Sequence, residues 1–584
     1  MSTVSSGAAA SVCRFGDYEL DRRTLELRKS GRKIKLAPQP ARVLALLASR
    51  PGELVARDEI RRELWGDETF VDFDRNLNYS LNCIRAALGD TAQSPRYIET
   101  LPRRGYRFIA PVKPERPFAE PTLAVLPFVN LNADPAREYF ADGITDALIT
   151  ELARIQAVRV ISRQSVLHLK GSSRTLAEIA RELSLDGVVE GAVLHEDNQV
   201  RVTAQLILME PERHAWAQSY ECGMSAILST QREAARAIAA CVIAALRPGK
   251  SLPSAPIDAG PKTAPVAPEI VEAYLKARVE LDKMSAEGIG KALQHLREIT
   301  AKAPDFALGL AGYSACLFSL GIWGHAPIRE VYPSAKQIAS SSLAIDDRIG
   351  DAHVIVAFVT WLLDWDLPTA EREFRRAIEL SPSNPEAHIW YALFLCGVGR
   401  HAESIAEAQY GLSLNPTSLL PNQMVAWIYL NNGQHGKAEA QARRTIELFP
   451  QSFQPHLVLG WAAWCQGRAE EAVPAFEKAL GISREAYALS FLGHIYAQLG
   501  RREEATSLLG ELDQLRIEGH ASPIAFAVIH AGLGDVHAAL KWLETAYRLR
   551  DDAYWLFTEF PGIDPLRSDP RFADLVRRMG IVQP

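Results

Sequence analysis

Two adjacent arginines in Pro102-Arg103-Arg104-Gly105-Tyr106-Arg107 sit on what reads as a tight turn, where like charges repel unless an anion is expected. Upstream, Arg75 to Leu88 reads as a helix in which Leu77, Leu81, Ile84 and Leu88 recur at i, i+4, i+7 and i+11. Arg75, Asn76, Tyr79, Asn82 and Cys83 then point away from that apolar stripe, and Ser80 and Arg85 join them as candidate contacts. Amides and guanidinium on a helix face suit base edges in the major groove of double-stranded DNA. Arg103, Arg104 and Arg107, on or beside a hairpin tip, suit phosphate or the minor groove. Arg85 lies close to the apolar stripe, so capping or pairing with an acid is its alternative role.

The charge distribution agrees with this chemistry. Residues 1–116 hold 21 Lys and Arg against 15 Asp and Glu, whereas residues 117–584 hold 43 against 55. One end is drawn to phosphate and the other is not. At 584 residues the chain exceeds one hydrophobic core. Seven cysteines without C-x-x-C spacing argue against a disulfide framework or zinc site and fit a reducing cytosol. The amino terminus lacks a signal-peptide pattern. The longest apolar run, Val354 to Leu363, is about half the ~20 residues a membrane helix needs. A cytoplasmic protein without a membrane partner is expected.

The elements that must hold the basic groups span residues 11–113. Phe15 to Asp21, Thr24 to Arg28 and Gly31 to Leu36 read as strands. Pro38 to Arg50 and Arg57 to Trp65 read as helices, a loop covers Asp67 to Asp74, and the helix from Arg75 follows. Tyr97 to Leu101 and Tyr106 to Ala110 close the module as a hairpin. This order resembles the winged helix-turn-helix output domain of OmpR/PhoB-type regulators, in its CadC/ToxR-like branch. The residues carrying the resemblance are Arg57-Asp-Glu-Ile, Leu64-Trp65-Gly66, Asp74-Arg75, Arg96-Tyr97-Ile98 and Gly105-Tyr106-Arg107-Phe108. It implies that 75–85 is the recognition helix and 103–107 the wing. Asn82 and Cys83 stand where that family often has arginine, and no receiver domain precedes the module.

Residues 121–247 alternate strands and helices, predicting a small α/β domain. Ala124-Val-Leu-Pro-Phe, Tyr139-Phe-Ala-Asp-Gly-Ile-Thr, Val160-Ile-Ser-Arg and Val200-Arg-Val-Thr-Ala-Gln-Leu resemble a TolB-like amino-terminal domain, a module also fused into bacterial signalling proteins, some with cyclase domains. Asp142, Asp146 and Arg163 are the polar residues that a cleft here could use. No phosphate-cradling glycine loop, G-x-S-x-G elbow or H-E-x-x-H helix accompanies them, so no enzyme and no cofactor are expected. Asp142-Gly143 reads instead as capping or opening a helix.

Residues 248–268 form a Pro/Ala-rich linker, read as mobile. Beyond it Gly399, Gly433, Gly467, Gly500 and Gly534 recur at intervals of 34, 34, 33 and 34. Ala370, Ala438, Ala472, Ala505 and Ala539, and Pro382, Pro416 and Pro450, keep the same period. The pattern resembles tetratricopeptide repeats, about eight over 269–553, with a cap at 554–584. The resemblance implies a superhelix whose concave side takes a protein or peptide partner. Most tryptophans fall at core spacing.

The fold expected is therefore multidomain: an α+β winged helix-turn-helix, a small α/β domain and an all-α superhelix. The expected function is a one-component, sequence-specific transcriptional regulator, with RNA polymerase and a second copy of the chain as further candidate partners. The rival is a repeat scaffold whose winged helix no longer binds DNA, a reading favoured by the few basic residues between 75 and 88.

Overall fold

The computed structural model describes residues 12–579, except 16–17, 22–23, 30–31, 51, 65–72, 94, 103, 111, 114–119, 133–136, 197–198, 247–265, 284, 323–324, 518–520 and 550–560. The chain divides into two compact units, residues 1–119 and 120–584.

The first unit runs β1 (Val12–Phe15), β2 (Tyr18–Asp21), β3 (Glu26–Lys29), β4 (Arg32–Ile34), α1 (Pro38–Ala48), β5 (Leu54–Ala56), α2 (Arg57–Leu64), α3 (Phe73–Leu88), β6 (Ile98–Leu101), β7 (Gly105–Phe108) and β8 (Val112–Lys113). Its two sheets have strand orders β4-β3-β2-β1-β8 and β5-β7-β6. Within the stretch Phe15 to Asp21, expected as one strand, Phe15 ends β1 and Tyr18–Asp21 forms β2, paired antiparallel with Phe15 opposite Tyr18. β5 and β8 were not anticipated, because three and two residues are too few for alternation to show. Trp65, Gly66 and most of the loop before α3 lie outside the described residues. Leu77, Leu81, Ile84 and Leu88 are all buried as the stripe requires, against Val43, Leu44 and Leu47 of α1. Each such side chain contributes about 1.5–3 kcal/mol.

The second unit opens with β9 (Thr122–Val125), β10 (Val129–Asn130), α4 (Glu138–Ala153), β11 (Arg159–Val160), α5 (Arg163–Leu167), α6 (Leu176–Leu183), β12 (Gly187–Glu196), β13 (Gln199–Met209), β14 (Glu212–Gly223) and α7 (Ile227–Leu246). The sheet order is β11-β9-β12-β13-β14, with β10 beside β12. Thr175 and Glu178 start α6 with a reciprocal capping box. Asp142 and Gly143 do not open α4. They sit inside it, and a Cβ on Gly143 would meet Leu275 at 3.0 Å, so glycine permits the next helix to approach.

Eight helical hairpins follow among the described residues, from Pro268–Leu281 with Ala286–Lys302 to Pro523–Gly532 with Val536–Leu549, then the short helix Pro570–Arg578. Gly399, Gly433, Gly467, Gly500 and Gly534 all have φ between +68° and +79°, the left-handed turn that a β-carbon disfavours. Ala370, Ala438, Ala472, Ala505 and Ala539 are fully buried where paired helices touch. Ser404 replaces one such alanine and remains buried by donating to the Ala392 carbonyl at 2.7 Å.

Two expectations change. First, the α/β module and the array are not separate bodies. One core joins Ile144 and Leu148 of α4 to Val271, Leu275, Ile289 and Leu296 of the first hairpin. Polar contacts extend the junction further: Ser162 N–H donates to Leu414 O at 2.9 Å, Ser165 Oγ to Asn415 Oδ1 at 2.8 Å, and Arg159 to Ser413 O. Most of the linker at 248–268 lies outside the described residues. Second, three of the hairpins' first helices are buried almost all round. Twelve of the 13 residues of Pro385–Gly397 are buried, as are eleven of 13 in both Leu419–Asn431 and Ala486–Gln498. Trp361, Trp390, Trp427 and Trp461 are core residues, and the Trp427 ring packs 6.1 Å from Phe491 two repeats away.

Among the described residues no helix is long and apolar enough to cross a membrane, and no group of three or more His, Cys, Asp or Glu is placed to hold a metal.

Candidate nucleic-acid interface

The buried stripe of α3 leaves the opposite side to solvent. Arg75, Asn78, Tyr79, Asn82 and Ala86 are exposed, and Asn76 and Cys83 are half-buried beside them. Tyr79 is 64% exposed, a large ring left in water on an otherwise well-packed module. The Cys83 side chain one turn on holds the phenol above its usual pKa, first by a hydrogen bond that favours the neutral hydroxyl and then by charge repulsion.

Three devices fix this helix relative to the hairpin of β6 and β7. Asp90, just past the helix end, is buried, and its carboxylate accepts four backbone N–H groups. These are Thr91 at 3.0 Å, Arg96 at 2.7 Å, Tyr97 at 3.2 Å and Ile98 at 2.9 Å. Arg85 donates from α3 to Ile98 O at 3.1 Å and Thr100 Oγ1 at 2.8 Å on β6. Arg57, at the start of α2, donates to the Tyr106 hydroxyl at 2.7 Å, and that hydroxyl lies 3.4 Å from Asn78 Oδ1. Helix and hairpin are thereby one rigid piece, the preorganisation that two-point docking on a duplex needs.

At the hairpin tip, Arg104 N–H closes the turn onto Leu101 O at 3.0 Å. Gly105 passes so close to β5 that a Cβ would lie 2.1 Å from the Val55 carbonyl oxygen, so only glycine keeps the tip in place. The Arg104 side chain is exposed, with no hydrogen-bond or ion-pair partner among the described residues. Arg103 lies outside the described residues. Phe15, Tyr18, Tyr97 and Phe108 pack ring to ring behind the hairpin, Phe15 to Phe108 at 5.0 Å.

Three candidates differ in setting from the rest. Ser80 is 2% exposed and belongs to the core side of α3. Arg85 donates from Nη2 to β6, and its partners there are a backbone carbonyl and a hydroxyl, not an acid. Arg107 is half-neutralised by Glu99, directly opposite on the hairpin at 3.2 Å. Asn78 was missed, although it lies one turn from Arg75 and Asn82 on the exposed side. The structure brings Arg75, Asn76, Tyr79, Asn82 and Cys83 onto one face of α3 and sets Arg104 on the tip.

In the α/β module the candidate cleft residues are engaged in ion pairs. Asp142 pairs with Lys170 at 2.6 Å, Asp146 with Arg278 at 2.8 Å, and Arg163 with Asp282. The last two pairs bridge the module to the first repeat.

An exposed polar helix face locked to a cationic hairpin is the architecture of a winged-helix DNA-binding domain. Residues 31–108 match the family described as transcriptional regulatory protein, C terminal, and residues 425–487 match the tetratricopeptide repeat. The chain thus joins a transcription-regulator DNA-binding domain to a repeat array. The cholera toxin transcriptional activator of Vibrio cholerae is 36% identical over 80 residues, 14% of this chain and 27% of that protein. The transcriptional regulator HilA of Salmonella typhimurium is 21% identical over 412 residues, 69% of this chain and 70% of that protein. A Rhizobium meliloti protein named "Putative adenylate cyclase 3" is 29% identical over 280 residues, 47% of this chain and 44% of that protein. The chain spans less than half the length of the cyclase-named and cholera relatives.

Proposed function

We propose that this chain is a cytoplasmic, one-component transcriptional regulator that binds double-stranded DNA sequence-specifically through α3 and the β6–β7 tip. The observation that carries this reading is the rigid pairing of an exposed amide- and tyrosine-bearing helix face with Arg104, enforced by Asp90, Arg85 and the Arg57–Tyr106–Asn78 contact. Arg75, Asn76, Tyr79, Asn82 and Cys83 face the major groove, and Arg103 and Arg104 meet backbone or minor groove. Arg107 shares its charge between Glu99 and the duplex, and Arg85 positions the helix.

The α/β module, which we read as TolB-like on its sequence motifs, and the repeats act as one receiving body for an effector or protein partner. Because the first helices Pro385–Gly397, Leu419–Asn431 and Ala486–Gln498 are almost wholly buried, that partner engages the outer helices or the inter-repeat turns there. RNA polymerase and a second copy of the chain are the further macromolecules such a regulator engages. The part relates to no catalysis in this reading: Asp142, Asp146 and Arg163 are held in ion pairs that hold the fold together. The test is competition binding by the full chain to its own upstream DNA against unrelated duplex. Preference for the upstream DNA by about 10³-fold or more supports the reading. Equal binding to both, or none, contradicts it.

A further inference from the structure

The exposed side of α3 is poor in charge, and its composition specifies a base preference. Asn82 is exposed on this side, seven residues after Arg75 and four before Ala86, flanking the Tyr79–Ala86 line that lies opposite the Leu77–Leu81–Ile84–Leu88 stripe. Asn78, the other exposed amide, already has its Oδ1 facing the Tyr106 hydroxyl and Arg57, both at 3.4 Å. Asn82 has no partner among the described residues, so both ends of its amide are available. A free carboxamide presents one acceptor and one donor side by side. Adenine presents the matching pair in the major groove, an N6 amino donor beside the N7 acceptor, and guanine presents two acceptors that an amide cannot satisfy together.

Two neighbours of Asn82 offer apolar surface to a groove. The Tyr79 ring stands one turn before it and the Ala86 methyl one turn after, both exposed. Cys83, one turn after Tyr79, is half-buried. Apolar groups in a major groove meet the thymine methyl favourably and gain nothing from cytosine or guanine edges.

We propose that Asn82 is the specificity-determining residue of this interface. It reads one adenine bidentately, flanked by thymines whose methyl groups pack on Tyr79 and Ala86, so that the half-site core is A·T. This proposal rests on the DNA-binding reading above and goes beyond it by naming the base, the atoms and the residue.

The experiment selects duplexes from a randomised library with the full chain, then replaces single bases in the selected site. The expected result is an adenine with thymine neighbours at one fixed position. Replacing that adenine by 7-deazaadenine, which lacks only the N7 acceptor, should weaken binding by roughly tenfold or more. Replacing the flanking thymines by deoxyuridine should weaken it several-fold. Asn82→Ala should lose discrimination at that position, Asn82→Gln should keep adenine, and Asn82→Arg should move the preference to guanine, all at unchanged thermal stability because the side chain is exposed. Selection of a G·C core, indifference to 7-deazaadenine, or undiminished discrimination by Asn82→Ala overturns the proposal while salt-dependent DNA binding leaves the wider reading standing. Absence of any duplex binding overturns both.

Discussion

Asp90 is the residue on which the interface geometry depends most, and its removal has a calculable consequence. Its carboxylate takes four backbone N–H groups, of which those of Tyr97 and Ile98 belong to buried residues and those of Thr91 and Arg96 to exposed ones. In Asp90→Ala water can satisfy the exposed pair. The buried pair is left without an acceptor, at about 1–3 kcal/mol for each donor. The total, roughly 2–6 kcal/mol, is a large share of the ~5–15 kcal/mol that holds a domain folded. Asp90→Asn keeps one acceptor oxygen and turns an N–H₂ towards the remaining donors, so it should fall between wild type and alanine. Because the chain has several cooperative parts, amide hydrogen exchange at Tyr97 and Ile98 is the proper assay, with DNA affinity measured in parallel. Both amides should exchange far faster and duplex affinity should drop. Unchanged protection in Asp90→Ala would refute the claim that this carboxylate ties the recognition helix to the wing.

Other consequences concern separate parts of the molecule. Tyr106→Phe removes the hydroxyl that accepts from Arg57 at 2.7 Å, and should cost about 1–2 kcal/mol and weaken DNA binding, as read by thermal melting and anisotropy. Arg278→Ala strands the buried Asp146 at the junction between module and first repeat, and should cost about 3 kcal/mol with increased proteolysis at that junction. His494 is buried between repeats, and burial pushes its pKa from 6.5 down to about 4, outweighing a hydrogen bond to Val528 O. The unfolded chain takes up this proton below pH 6.5 and the folded chain does not, so the array should lose stability as pH falls from 6.5 towards 4. That loss should shrink in His494→Gln when unfolding is followed by circular dichroism across the same range. Gly433→Ala, at φ +68°, should cost about 1 kcal/mol in the same assay.

The parts that were legible in the sequence are those fixed by local periodicity. The i, i+4, i+7, i+11 stripe of α3 dictates which side is buried, and the 34-residue spacing of turn glycines dictates the hairpins. What stayed hidden depends on long-range partners. Ser80 sits at the margin of the stripe, where spacing alone does not decide exposure, and Arg85 is committed only because β6 returns beside α3. Asn78 could have been found by continuing the exposed side one turn from Arg75. The burial of Pro385–Gly397 also left a signal, because Ile389 to Cys396 is apolar all round. The merging of module and array was not readable, since it follows from docking of α4 and α5 onto distant turns.

The account stands on α3 and the hairpin tip gripping one duplex together. Its most direct test is the dependence of full-chain affinity on salt, measured on the selected site for wild type and for Arg103→Ala/Arg104→Ala. Each lost phosphate contact should reduce the slope of log affinity against log salt by about 0.9, so the double variant should be shallower by up to about 1.8 and weaker at every salt concentration. An identical slope in the two proteins, or wild-type binding insensitive to salt, would contradict the account.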